Sequence, residues 1–173
     1  MGTAPEIDNT GGTGTVRVQF EKDGQTQVVV INTIDELCQL HLSHQDGVRV
    51  PMMRIRQLVA SSRLSGPTLK WIGTVIPRDL LAESLEVSSK DLSRLYRRKY
   101  LSRTQTEWLE DLTYLWQSVE QNIFHGDEQV MRRWLDIPVP ALDGTTPKIL
   151  MGTLIGRKVL RGYIQKLRYG DYS

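Results

Sequence analysis

Hydrophobic and polar positions alternate near the start of the chain, then change period. Val16, Val18 and Phe20 alternate with Thr15, Arg17 and Gln19, the pattern of a strand with one buried face. Residues 21–24 (EKDG) supply turn chemistry and Gln25–Ile31 returns as a β-branched run, so residues 15–31 read as a hairpin. From there the spacing becomes three and four. Asn32 or Thr33 can cap a helix carrying Ile34, Leu37, Cys38, Leu40 and His41. Asp46-Gly47 marks a turn and residues 48–50 a short extended piece. Pro51 can open a helix to about Ser62, with Met52, Ile55, Leu58 and Val59 inward. Ser65-Gly66-Pro67 reads as a hinge before a short apolar segment holding Trp71.

Residues 77–103 (PRDLLAESLEVSSKDLSRLYRRKYLSR) follow the packing grammar of a helix-turn-helix. Leu81, Ala82 and Leu85 form one face, Glu86-Val87-Ser88 the corner, and Leu92 and Leu95 the inner side of the next helix. That second helix starts at a serine cap and turns Ser88, Ser89, Lys90, Ser93, Arg94 and Arg97 outward. Short hydroxyls at a helix N-terminus suit phosphate oxygens, and arginine can reach guanine edges with two hydrogen bonds. Between Lys90 and Arg103 stand six basic residues and one acid, Asp91. Arg97, Arg98 and Lys99 would lie against a phosphate backbone, making affinity fall with salt. The same charges also fit a solvated face on an all-α core. Glu86 stands where glycine is usual in such corners, at a cost of about 1 kcal/mol if the backbone there is left-handed.

Ser102 or Thr104 caps a long helix over about residues 105–124, whose apolar stripe includes Trp108, Leu112, Leu115, Trp116 and Val119. Its two tryptophans read as core. Residues 125–127 break it, and Asp127 can cap the helix leading to Trp134. Pro138, Pro140 and Gly144 then stop any helix. Thr145 or Thr146 is a good N-cap ahead of Pro147. Ile149, Leu150 and Leu154 give one short apolar face. After Gly156, Val159, Leu160, Tyr163, Ile164 and Leu167 recur as an amphipathic helix that ends at Gly170.

The run RWL-x-x-P-x-P-ALDG-x-TP-x-x-L, followed by a glycine, a helix and L-x-x-G, resembles the toxin-binding domain of the Xre/MbcA/ParS antitoxin family. Its carriers are Arg133, Trp134, Leu135, Pro138, Ala141, Leu142, Gly144, Thr146, Pro147, Leu150, Gly156, Val159, Leu167 and Gly170. The resemblance is strong over the last quarter of the chain, and the long helix before it is similar to the family's linker. Residues 15–64 do not match the family core. The resemblance implies an antitoxin that binds a RES-domain, NAD-consuming toxin and covers its active-site entrance, and that represses its own operon as a helix-turn-helix dimer. A stand-alone regulator without a toxin is the alternative. For the toxin-facing surface the last helix offers Arg157, Lys158, Arg161, Lys166 and Arg168. The tail offers Tyr169, Tyr172 and Ser173, a basic and aromatic end suited to a pocket shaped for a dinucleotide.

Composition narrows the rest. A net charge of +2 over 173 residues identifies no nucleic-acid binder by itself; clustering must carry that reading. One cysteine excludes an internal disulfide and a Cys-rich metal site, and fits a reducing interior. The run GGTG lacks the Lys-Ser/Thr of a phosphate loop. His41 and His44 lie three apart without a third ligand, so no metal is expected. No nucleophile stands beside a base, and Glu110 and Asp111, as helix neighbours, point apart. The expectation is therefore a cytoplasmic, non-catalytic protein without cofactor or membrane segment, mainly α with a small N-terminal β-hairpin. It divides into a tail (1–14), a hairpin and helix elaboration (15–64), a helix-turn-helix region with linker helix (65–124) and a C-terminal helical toxin-binding domain (125–173).

Overall fold

The computed structural model describes residues 15–43 and 50–170. It is mainly helical, with one antiparallel hairpin at its N-terminal end. Strands β1 (Val16–Lys22) and β2 (Gln25–Ile31) pair from Lys22↔Gln25 to Val16↔Ile31. Asp23 and Gly24 form the turn, both with positive φ (52° and 73°), as a tight two-residue connection requires. Helix α1 (Ile34–His41) follows, capped by Thr33, whose hydroxyl accepts from the Glu36 N–H. His44, Asp46-Gly47 and residues 48 and 49 lie outside the described residues.

Helix α2 (Met52–Ser61) buries Ile55, Leu58 and Val59, while Met52, expected inward, is exposed. The expected hinge at Ser65-Gly66-Pro67 is instead the start of α3 (Gly66–Val75). Ser65 caps it, accepting from the Thr68 N–H at 3.2 Å, and the proline falls in the first turn, where no N–H is needed. Gly66 serves close packing. A Cβ there would lie within 2.6 Å of the carbonyl oxygens of Leu95, Tyr96 and Arg98, and its N–H donates to Arg98 O at 3.0 Å.

Helices α4 (Arg78–Ser84) and α5 (Ser89–Leu95) lead into the 20-residue α6 (Arg103–Asn122). Ser102 and Gln105 form a reciprocal capping box at its start. This helix is the spine of the core. Leu109, Leu112, Leu115, Trp116 and Val119 are fully buried along it, with α1 packed on one part and α9 on another. Helix α7 (Glu128–Leu135) is capped by Asp127, and Phe124 meets Trp134 at 5.2 Å between ring centroids.

A turn of 3-10 helix (Pro140–Leu142) then reverses the chain through Asp143 and Gly144, both left-handed. The loop is pinned by Gly144 N–H to Val139 O (3.0 Å) and Thr145 N–H to Leu142 O (2.9 Å). Thr146 caps α8 (Pro147–Met151), with Pro147 opening the helix, and Thr153 caps α9 (Leu154–Tyr169), which Gly170 terminates at φ 66°. Among the described residues no helix is long and apolar enough to cross a membrane.

Candidate functional site

Two surfaces hold the residues singled out by the sequence. The first is the corner between α4 and α5. Leu81, Leu85, Leu92 and Leu95 are buried as expected, and Ala82 lets the two helices approach. Val87 N–H donates to Ala82 O at 2.9 Å across the turn. Glu86 has φ 53°, so the position where glycine is usual is left-handed and carries a side chain that tolerates it at a cost.

Ser88 is exposed but occupied: its hydroxyl caps α5 by accepting from the Asp91 N–H and donates to the Asp91 carboxylate at 2.7 Å. Ser89 and Lys90 are exposed on the first turn. Ser93 is half-buried and accepts from Arg78 at 3.1 Å. Arg94 points to solvent and pairs with Asp91 at 2.8 Å. Helix α5 ends at Leu95, so Arg97, expected on the outward side of this helix, sits with Arg98 and Lys99 exposed on the connection that follows. Lys90, Arg94, Arg97, Arg98 and Lys99 are thus solvent-facing cations of α5 and the connection after it, and Arg78 lies over the Tyr96 ring.

The second surface is formed by α8 and α9. Here Arg157 departs from expectation. It was placed on an exposed face and is instead 1% exposed, one of the most deeply buried side chains in the chain. Its Nε donates to Asp111 Oδ2 at 2.7 Å, and its Nη1 to Met151 O at 2.8 Å and Ser84 Oγ at 3.3 Å. One guanidinium therefore ties α9 to α6, α8 and α4. Burial, the larger influence, lowers its pKa, while Asp111 holds the charge in place. Arg161, a third exposed, donates to the other Asp111 oxygen. Asp111 thereby accepts from two arginines, one oxygen to each, and their spacing of one helical turn puts them on one face.

Lys158, Lys166, Arg168 and Tyr169 are exposed, with Arg168 over the Tyr169 ring at 5.7 Å. Tyr172 and Ser173 lie outside the described residues. Large aliphatic side chains stand in solvent beside these cations. Ile149 (58%), Leu154 (50%), Ile155 (78%) and Val159 (50%) are exposed, whereas Ile149, Leu154 and Val159 had read as inner positions. The buried stripe is Gly156, Arg157, Leu160 and Ile164. Gly156 marks it: a Cβ there would come 2.2 Å from Leu150 O. Gly152 is likewise pressed against the Glu83 side chain. Lys148 adds a link from α8 to α4, reaching Asp79 at 2.6 Å and Asp136 at 3.6 Å; that hydrogen bond pulls the Asp79 pKa down and pushes the Lys148 pKa up.

Two titratable groups of α1, Cys38 and His41, are internal. His41 is buried against α6, its Nδ1 3.0 Å from Thr113 Oγ1. Thr113 Oγ1 also lies 3.0 Å from Glu110 O. Burial lowers the His41 pKa to about 4 and raises that of the Cys38 thiol. Glu110, beside Asp111, is raised to about 7, mainly by burial, then by the Asp111 charge, against the pull of Arg161. Among the described residues no three His, Cys, Asp or Glu gather as metal ligands.

Comparison with known proteins places one part of the chain. Residues 121–170 match the family model of the antitoxin Xre/MbcA/ParS C-terminal toxin-binding domain. That span covers α7, the Pro/Gly turn, α8 and α9. No curated protein and no solved structure matches the chain.

Proposed function

We propose that this chain is the antitoxin of a toxin–antitoxin pair, that its partner is a RES-domain, NAD-consuming toxin, and that it acts by covering the partner's catalytic mouth. The observation that carries this reading is the apolar face of α8 and α9 inside the span that matches the toxin-binding domain. Four large aliphatic side chains half or more in solvent, with exposed Lys158 and Lys166 on the same side of α9, have the make-up of a docking patch with polar neighbours. Arg157 is excluded from the contact surface by its internal bonds, and Arg161 contributes only what Asp111 leaves exposed. The tail from Tyr169 onward follows directly on this face and supplies the basic, aromatic end that enters the dinucleotide pocket. Full-length chain and a chain cut after Leu167 are titrated against the toxin encoded in the adjacent reading frame. The truncation is expected to lose neutralisation while keeping its thermal midpoint. Undiminished neutralisation by the truncated chain discards the tail as the plug.

The exposed cations of α5 and the following turn support a second role for the same molecule. Two copies place their α4–α5 corners as helix-turn-helix units in successive major grooves of the operator, with Ser89, Lys90, Arg94 and Arg97 toward the groove and Arg98 and Lys99 on phosphates. Were the neighbouring frame to encode no RES-type protein, this role alone would stand, as that of a stand-alone regulator.

A further inference from the structure

We infer that the edge of β2 that faces away from β1 is a self-association surface, on which a second copy of this chain lays its own β2 antiparallel to make one four-stranded sheet. This deepens the pairing of copies proposed above and locates it in the N-terminal unit. The hairpin is lopsided. On its inner face β1 buries Val16, Val18 and Phe20, yet their partners on β2 differ: Ile31 is buried, Val29 is 37% exposed and Gln27 is exposed. On the outer face Val28 and Val30 are 56% and 48% exposed. Three consecutive valines in solvent are unusual on a strand that has no further strand neighbour among the described residues.

The backbone of β2 faces the same way. In a hairpin closed by a two-residue turn, Lys22 and Gln25 form the hydrogen-bonded pair next to the turn, and such pairs then alternate. Val28 and Val30 therefore occupy positions whose N–H and C=O point away from β1, toward the open edge. Beside that edge runs a groove of about 360 Å³, walled by Val29, Val30 and Ile31 on one side and by Glu36, Gln39 and Leu40 of α1 on the other. A strand edge next to a helix is the geometry of strand addition.

Charge decides for a second copy as the occupant. Edge strands are ordinarily protected by a lysine, a proline or an inward charge. Gln25–Ile31 contains no charged residue and no proline, so β2 meets itself antiparallel with no like charges opposed. A pairing centred on Val28 overlaps all seven residues, puts Val28 against its own copy on the twofold axis and closes the groove with the partner's side chains.

The test is the mass of the full-length chain in solution, without DNA or toxin, by sedimentation equilibrium, so its outcome leaves the toxin reading untouched. The wild type is expected at twice its 19.8 kDa. Val28→Pro removes only an outward N–H and keeps the β1–β2 ladder, a place where an edge strand tolerates proline; it should weaken association at least tenfold with an unchanged circular dichroism spectrum. Val28→Lys, which sets like charges on the axis, is the second variant should the proline disturb the fold, and should do the same. A wild type that is monomeric at about 100 μM, where a micromolar pair would be formed, overturns the proposal. So does a dimer that survives both variants.

Discussion

Two basic helical segments of this chain, α5 with the turn behind it and α9, place their cations differently. At α5 and the turn behind it, Lys90, Arg94, Arg97, Arg98 and Lys99 remain in solvent, and Asp91, which pairs with Arg94 at the surface, is itself well exposed. On α9, Arg157 and Arg161 turn to a single carboxylate, Asp111 of α6, and the side chains left outside are aliphatic ones, Leu154, Ile155 and Val159, together with Lys158, Lys166 and Arg168. The two segments look alike when their cations are counted along the sequence. They differ in whether a carboxylate on a packed neighbour lies within reach. A charge spent inside the fold holds elements together; only a charge left in solvent is available to a partner.

The largest expected effect comes from breaking the inner pair. Asp111→Ala leaves Arg157 buried without its counter-charge and should cost about 3–5 kcal/mol in urea unfolding. Replacing both, Asp111→Leu with Arg157→Met, should recover much of that, since two apolar groups need no pairing. At the outer segment the balance reverses. Arg94→Ala and Arg97→Ala should each change stability by less than about 0.5 kcal/mol. If they reach bases, each should weaken operator binding by about 1–3 kcal/mol in a titration at fixed salt. Operator binding that persists unchanged would mean that this helix does not read the groove.

A smaller effect should appear with pH. Because the fold raises the Glu110 carboxyl from 4.5 to about 7, the folded chain holds a proton that the unfolded chain has released. The stability this contributes is complete below 4.5 and is lost as pH rises to about 7. Glu110→Gln should therefore stabilise the chain by about 1–2 kcal/mol at pH 8 and hardly at all at pH 4. His41 works in the other direction. Lowered from 6.5 to about 4, it contributes stability above 6.5 that disappears as pH falls to about 4. The smallest effect concerns Gly162, on the outer face of α9 with open space where a Cβ would stand. Gly162→Ala should raise stability by about 0.5–1 kcal/mol.

Local signals were legible from the residues. The hairpin, the caps at Thr33, Ser102, Asp127 and Thr146, and the stop at Gly170 depend on near neighbours, and each appears. The direction in which α9 faces was not legible. Its apolar residues lie on two adjoining stripes, and a period of 3.6 cannot say which one is buried. The sign that was available is Gly156, because a glycine between helical apolar residues marks close approach, and Leu160 and Ile164 continue its stripe. Arg157 shares that stripe, but its burial depends on Asp111, 46 residues earlier, which no local pattern reveals. Ser65-Gly66-Pro67 misled for a similar reason. The same three residues suit a loop or a capped helix start, and the carbonyls of the chain after α5 decide it. The anchoring of α1 on α6 through His41 and Thr113 spans 72 residues and was equally hidden.

The most direct measurement is neutralisation of the adjacent gene's product by the full-length chain carrying Ile155→Asp and Val159→Asp together. Both side chains are solvent-exposed in the free chain, so the thermal midpoint should barely move. NAD consumption by the toxin should be suppressed by an equimolar amount of wild type and should continue with the double variant, its affinity lowered at least a hundredfold. Neutralisation at wild-type stoichiometry by a folded double variant would contradict a docking face on α8 and α9.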